Sequence, residues 1–197
     1  QKDPQLALYA EHMNMLMIEN DSTLAEFKLS ISQKYKRHRP RLLILLGNPA
    51  LLMRDEYREL WGDIPIVLCS EENYLGPQET YTKKQAIATA DRTPLTQLAD
   101  PYNMVLLYSN LYLDENIQLI CHIVPEIKKF IFIGDARQIN QTNNLDIRNK
   151  LKKTHPNVEY QFITPQDMTT NQLLDSLYFV DPKTTGVLFS SWFYKTT

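Results

Sequence analysis

The stretch MVLLYSNLYLDENIQLICHIVPEIKKFIFI, residues 104–133, decides the fold. Its first five residues are apolar and β-favouring, and its last four, FIFI, form a second apolar run. Between them Ile117, Ile120, Cys121 and Val124 recur at helical spacing behind an expected cap at Asp114, and Pro125 stops the pattern. A strand, a helix of about ten residues and another strand are the signature of a βαβ unit and hence of a parallel sheet.

The rhythm repeats on both sides. Downstream, the pattern predicts a helix over 144–154, a strand over 158–163, a helix over 170–179 and a strand over 186–192. Upstream, it predicts a strand over 6–13 and a helix over 23–37 opened by a capping box from Thr23 and Glu26. The run 41–46 is continuously apolar and ends at Gly47, as for a strand covered on both faces. Asn48-Pro49 then opens a helix, followed by a strand over 64–68. Residues 70–101 have no sustained period and read as a loop with a short helix at 81–88. The expected architecture is α/β, with two doubly wound parallel-sheet lobes, residues 1–103 and 104–197.

Composition narrows the function classes. With 21 basic and 23 acidic residues in 197, the net charge of -2 supplies no excess for phosphate backbones, so no nucleic-acid partner is expected. No apolar run approaches the ~20 residues of a membrane span, so any membrane attachment is expected from segments outside these residues. Cys69 and Cys121 lack metal or redox spacing and read as small buried hydrophobes. The four histidines are scattered, and the phosphate-loop, dinucleotide and nucleophile-elbow patterns are missing, so no metal, no cofactor and no catalytic residue is expected. Gly134-Asp135 after FIFI looks like a receiver-domain phosphoacceptor, yet the accompanying acidic pair and strand-end lysine are not found. Asn20 and Asn140 each begin a glycosylation tripeptide.

Ligands of open parallel sheets bind beyond the carboxyl ends of the strands. That rule selects Asn14, Gly47, Asn48, Ser70, Glu71, Glu72 and Asn73 in the first lobe. In the second it selects Gly134, Asp135, Arg137, Thr164, Ser190, Ser191 and Trp192. Asn48 serves equally as a helix cap, Asp135 and Arg137 as a surface pair, and Trp192 as packing.

Three segments carry a resemblance. FKLSISQKYKRHRPRLLILLGNPALLMRDEYRELWGDIPIVLCSEENY (27–74), IQLICHIVPEIKKFIFIGDA (117–136) and TTNQLLDSLYFVDPKTTGVLFSSWFYKT (169–196) resemble the periplasmic sensor regions of bacterial, often hybrid, two-component histidine kinases. These are related to transporter substrate-binding proteins of the type I periplasmic-binding fold. The resemblance implies a fragment lacking a first strand-helix unit and C-terminal elements. It also implies a periplasmic, non-enzymatic domain that binds a small molecule between its lobes and signals by lobe rearrangement. Asn48, Ser70 to Asn73, Asp135 and Ser190 to Trp192 fall on the implied cleft. The alternative is a soluble substrate-binding protein; a ligand-free homodimerisation domain and a small-molecule α/β enzyme rank below it.

Overall fold

The computed structural model describes residues 7–193. Two three-stranded parallel sheets form the frame. The first joins β1 (Leu43–Leu46), β2 (Ile66–Ser70) and β5 (Met104–Tyr108) in the order β1-β2-β5. The second joins β6 (Lys129–Ile133), β7 (Glu159–Ile163) and β8 (Thr185–Phe189) in the order β7-β6-β8. A two-residue hairpin, β3 (Tyr74–Leu75) against β4 (Thr93–Pro94), lies between β2 and β5 in sequence.

The deciding stretch is divided between these sheets. Met104 pairs with Ile66 and Tyr108 with Ser70, so β5 belongs to the first sheet, while β6 is the central strand of the second. The boundary expected at residue 103 therefore falls one residue before a strand of the first sheet. Periodicity reports that a segment is a strand, whereas the partner is chosen by which core its inward side chains join. Met104 and Leu106 pack into the first core.

That first core is built on one face of the sheet. Helix α1 (Asp21–Tyr35) contributes Leu24 and Ile31, the 3-10 turn Asn48–Met53 contributes Leu51, Leu52 and Met53, and α2 (Arg54–Trp61) contributes Tyr57 and Trp61. Short helices α3 (Gln78–Thr82) and α4 (Leu95–Ala99) add Tyr81 and Leu95. On the other face Ile44, Leu46, Val105 and Leu107 are exposed, so among the described residues the expected two-sided cover of residues 41–46 is corrected to one side.

The second sheet is covered on both faces. Helices α5 (Leu113–Ile123) and α6 (Gln138–Thr154) close a core around Phe130 and Phe132, with Ile117, Ile147 and Leu151. Helix α7 (Thr170–Tyr178) closes the opposite face over Ile131, Ile133 and Ile163 through Leu173. The strand β6, buried on both sides, accounts for the unbroken FIFI run.

Other expectations are corrected. Residues 7–13 of the expected strand 6–13 pair with no strand, and Leu6 lies outside the described residues. The α1 cap is Asn20, which accepts from the Thr23 amide at 2.9 Å while the Thr23 hydroxyl oxygen accepts from the Asn20 amide; Glu26 takes no part. Helix α6 begins at Gln138, six residues before the expected 144, and β8 ends at Phe189, before Trp192. The expected loop with a helix at 81–88 is folded instead as the β3–β4 hairpin around α3, with Tyr81 and Ile87 buried. Among the described residues no helix is long and apolar enough to cross a membrane.

Candidate functional site

The order β7-β6-β8 sends the chain to one side of β6 and then to the other, and open sheets bind ligands at such a reversal, beyond the carboxyl ends of the strands. The residues at that point are Gly134 and Asp135 after β6 and Ser190 and Ser191 after β8.

Asp135 is fully buried yet charged. Its Oδ1 accepts from the Arg137 amide at 2.9 Å, forming an Asx turn that starts α6, and from Asn140 Nδ2 at 2.9 Å. Its Oδ2 accepts from Ser191 Oγ at 2.8 Å, and Arg137 Nε spans both oxygens at 3.0 Å. Burial alone would raise this carboxyl, but the hydrogen bonds from Arg137, Ser191 and Asn140 outweigh it and hold Asp135 below the ordinary aspartate range. A carboxylate held ionised in this way is a weak base, so it orients Ser191 and does not deprotonate it. Gly134 leaves room for this arrangement, since a Cβ there would lie 3.0 Å from Asn140 Cγ and press on that side chain. The buried Asn140 side chain also removes its glycosylation tripeptide from reach.

A second polar cluster sits at the carboxyl end of the first sheet. Asn48, Ser70 and Glu72 are all buried. Ser70 Oγ donates to Asn48 Oδ1 and accepts from the Glu72 amide at 3.0 Å, and Asn48 Nδ2 donates to the carbonyls of Glu72 and Tyr74. The Glu72 carboxylate accepts from the Tyr74 hydroxyl at 2.8 Å. Burial is the dominant influence on Glu72 and raises its carboxyl above the ordinary glutamate value, opposed by the Tyr74 bond and by nearby Arg92. Asn48 is thus a network centre, and no side chain caps the turn that it begins.

The two clusters meet on the first turns of α6. Gln138 lies beside Glu72, where it favours the charged carboxylate, and donates to Thr142 Oγ1 at 2.7 Å, and that hydroxyl accepts from the Ile87 amide at 2.9 Å. One turn further on, Arg92 Nη2 donates to both oxygens of Asp146 at 2.7 and 2.9 Å. The Arg92 guanidinium also stacks 4.6 Å from the centre of the Tyr74 ring.

Of the residues chosen from sequence, Asn48, Ser70 and Glu72 share the first network, and Asp135, Arg137 and Ser191 share the second. Glu71, Asn73 and Ser190 are exposed beside them. Trp192 packs against the α7 core and donates from Nε1 to Thr170 at 3.0 Å, apart from both networks. Arg137 instead stacks on Phe193, 4.7 Å from the ring centre. Sequence reasoning missed Tyr74, Arg92, Gln138, Asn140, Thr142 and Asp146. The available signal was QINQTNN at 138–144, a helix start rich in amides and hydroxyls and free of charge, as a buried polar face requires. A cavity of ≈10 Å³ lined by Arg54, Tyr57, Arg58, Gly62, Asp63, Ile64, Ile66, Pro101 and Tyr102 lies at the opposite, amino-terminal end of β2 and β5 and has room for about one water.

No protein-family model matches the chain, and no curated protein is similar to it.

Proposed function

We propose that the chain is an extracytoplasmic ligand-sensing domain of a two-component histidine kinase, with two lobes of the type I periplasmic-binding pattern. The observation that carries this reading is the meeting of two buried polar networks, one from the carboxyl end of each parallel sheet, on the first turns of α6. Strand-end networks that converge on one helix start put loops from both sheets within reach of one ligand. The order β7-β6-β8 has the same pattern, two strands and then a return across the first, that begins flavodoxin-like sheets.

In this reading the ligand is a small polar molecule bound between the sheets, close to Glu72, Arg137 and Ser191. Its work is to change the relative populations of two lobe arrangements by binding one better than the other. The contacts that would differ between them are Glu72 with Gln138, Ile87 with Thr142, and Arg92 with Asp146. The domain senses, and any kinase chemistry belongs to other segments.

The test is thermal unfolding in the presence of sugars, amino acids, nucleosides and small carboxylates. A ligand specific to the folded state at 100 times its Kd adds about 2.7 kcal/mol of stability. The expected result is a saturable rise in Tm with one class, much reduced in Arg137→Ala and in Ser191→Ala. A library-wide failure to shift Tm, repeated by calorimetry, would remove the sensing role.

A further inference from the structure

The uncovered face of the first sheet is continuous. The register places Ile44, Val67 and Val105 in one row and Leu46, Cys69 and Leu107 in the next, all on the face opposite the core. Leu46 is 77% and Val105 60% exposed, and Leu42 extends the patch at its rim. None of these seven residues is charged. Parallel sheets are ordinarily covered on both faces, and single exposed apolar residues need no explanation but a grid of them does.

We infer that this face is the contact between two copies of the chain, stacked sheet on sheet across a twofold axis. Self-complementarity is the requirement of a twofold contact, because each residue meets the same patch on its partner. A surface with no charge meets it, since no like charges are brought together, whereas a charged patch would repel itself. The size is also appropriate. The grid and its rim offer on the order of 500 Å² of apolar surface. A standard interface takes roughly 800 Å² from each partner, so this grid would be its core and the surrounding loops its rim. Facing sheets interdigitate at about 10 Å, a spacing these aliphatic side chains fill. The contact is independent of ligand sensing, because it lies on a face of the first sheet and not at the strand ends.

Cys69 provides a reporter within the patch. It sits on the central strand, half-buried, and Cys121 on α5 is a half-buried thiol outside it. The experiment is light scattering and sedimentation of the chain from about 1 to about 100 µM, combined with the rate of maleimide labelling at each thiol. The expected result is a doubling of mass with concentration and a parallel slowing at Cys69 but not at Cys121. Leu46→Lys and Leu107→Lys should each hold the chain at monomer mass with an unchanged circular dichroism spectrum. The unsubstituted chain answers through Cys69 even if a lysine variant misfolds. A monomer at every concentration overturns the inference. So does a dimer that survives both lysines, or one lost in Tyr178→Lys, which would place the contact on α7.

Discussion

Glu72 and Asp135 are both buried carboxylates at strand ends, and their surroundings push them in opposite directions. Asp135 gathers donors from Arg137, Asn140 and Ser191. Glu72 has one strong donor in Tyr74, and its nearest cation, Arg92, is engaged by Asp146. With its folded pKa raised, Glu72 holds a proton in the folded state that the unfolded chain releases, so stability falls as pH rises from the ordinary glutamate value through the raised one. Asp135 acts in the reverse sense, and its contribution is lost as pH falls through its lowered pKa. Glu72→Gln should therefore raise Tm at pH 7, by about 2–4 °C for each kcal/mol recovered, and leave it unchanged at pH 4. A scan of Tm against pH decides it; equal shifts at both pH values would remove titration as the cause. The strand-end rule found both residues in the sequence, because a strand end is a local property. Their opposite charge behaviour depends on partners far away in sequence and was not legible.

Elements with strong periodicity or apolar runs were legible, and those built on polar residues were not. FIFI identified β6, and Pro125 fixed the end of α5 to within two residues. The start of α6 was hidden because its buried side chains are Gln138, Asn140, Thr142 and Asn143, which leave no apolar stripe to count. At 6–13, loose alternation suggested a strand, but pairing needs a partner as well as a pattern. The docking of α5 on β8 rests on Gly186, where a Cβ would come 2.3 Å from Ile120 Cγ2 and 3.0 Å from Ile127 Cδ1. A β-branched side chain in a packed helix cannot swing clear. Gly186→Ala should cost about 1–3 kcal/mol, measured by urea unfolding. A neutral result would mean that α5 can move away from the sheet freely.

At the scale of the molecule, residues 70–95 form a strap that joins the first sheet to α6 of the second. The hairpin β3–β4 holds Ile87 against Gly76, with too little room for a Cβ, and from this platform Arg92 reaches Asp146 on α6. A double-mutant cycle with Arg92→Ala and Asp146→Ala should give a coupling of about 1–2 kcal/mol, since the pair is charged, largely shielded and bound through both carboxylate oxygens. A coupling near zero would make the strap a passive cover. The sequence disclosed the α/β class and the repeated strand-helix rhythm. It did not disclose the strap, because a segment of short elements stabilised by long-range contacts has no period of its own.

Among the described residues the chain passes from the first sheet to the second once, through α5. Every described strand of the first sheet is therefore synthesised before any described strand of the second. During translation the first core can close as soon as Tyr108 clears the ribosome, with the second following as a separate event. The strap is made early but finds Thr142 and Asp146 only when α6 emerges. Until then the nascent chain carries a formed sheet whose buried Glu72 has yet to meet Gln138, and an interrupted translation product ending before α6 should be protease-sensitive at residues 76–92 while resistant across β1 and β2.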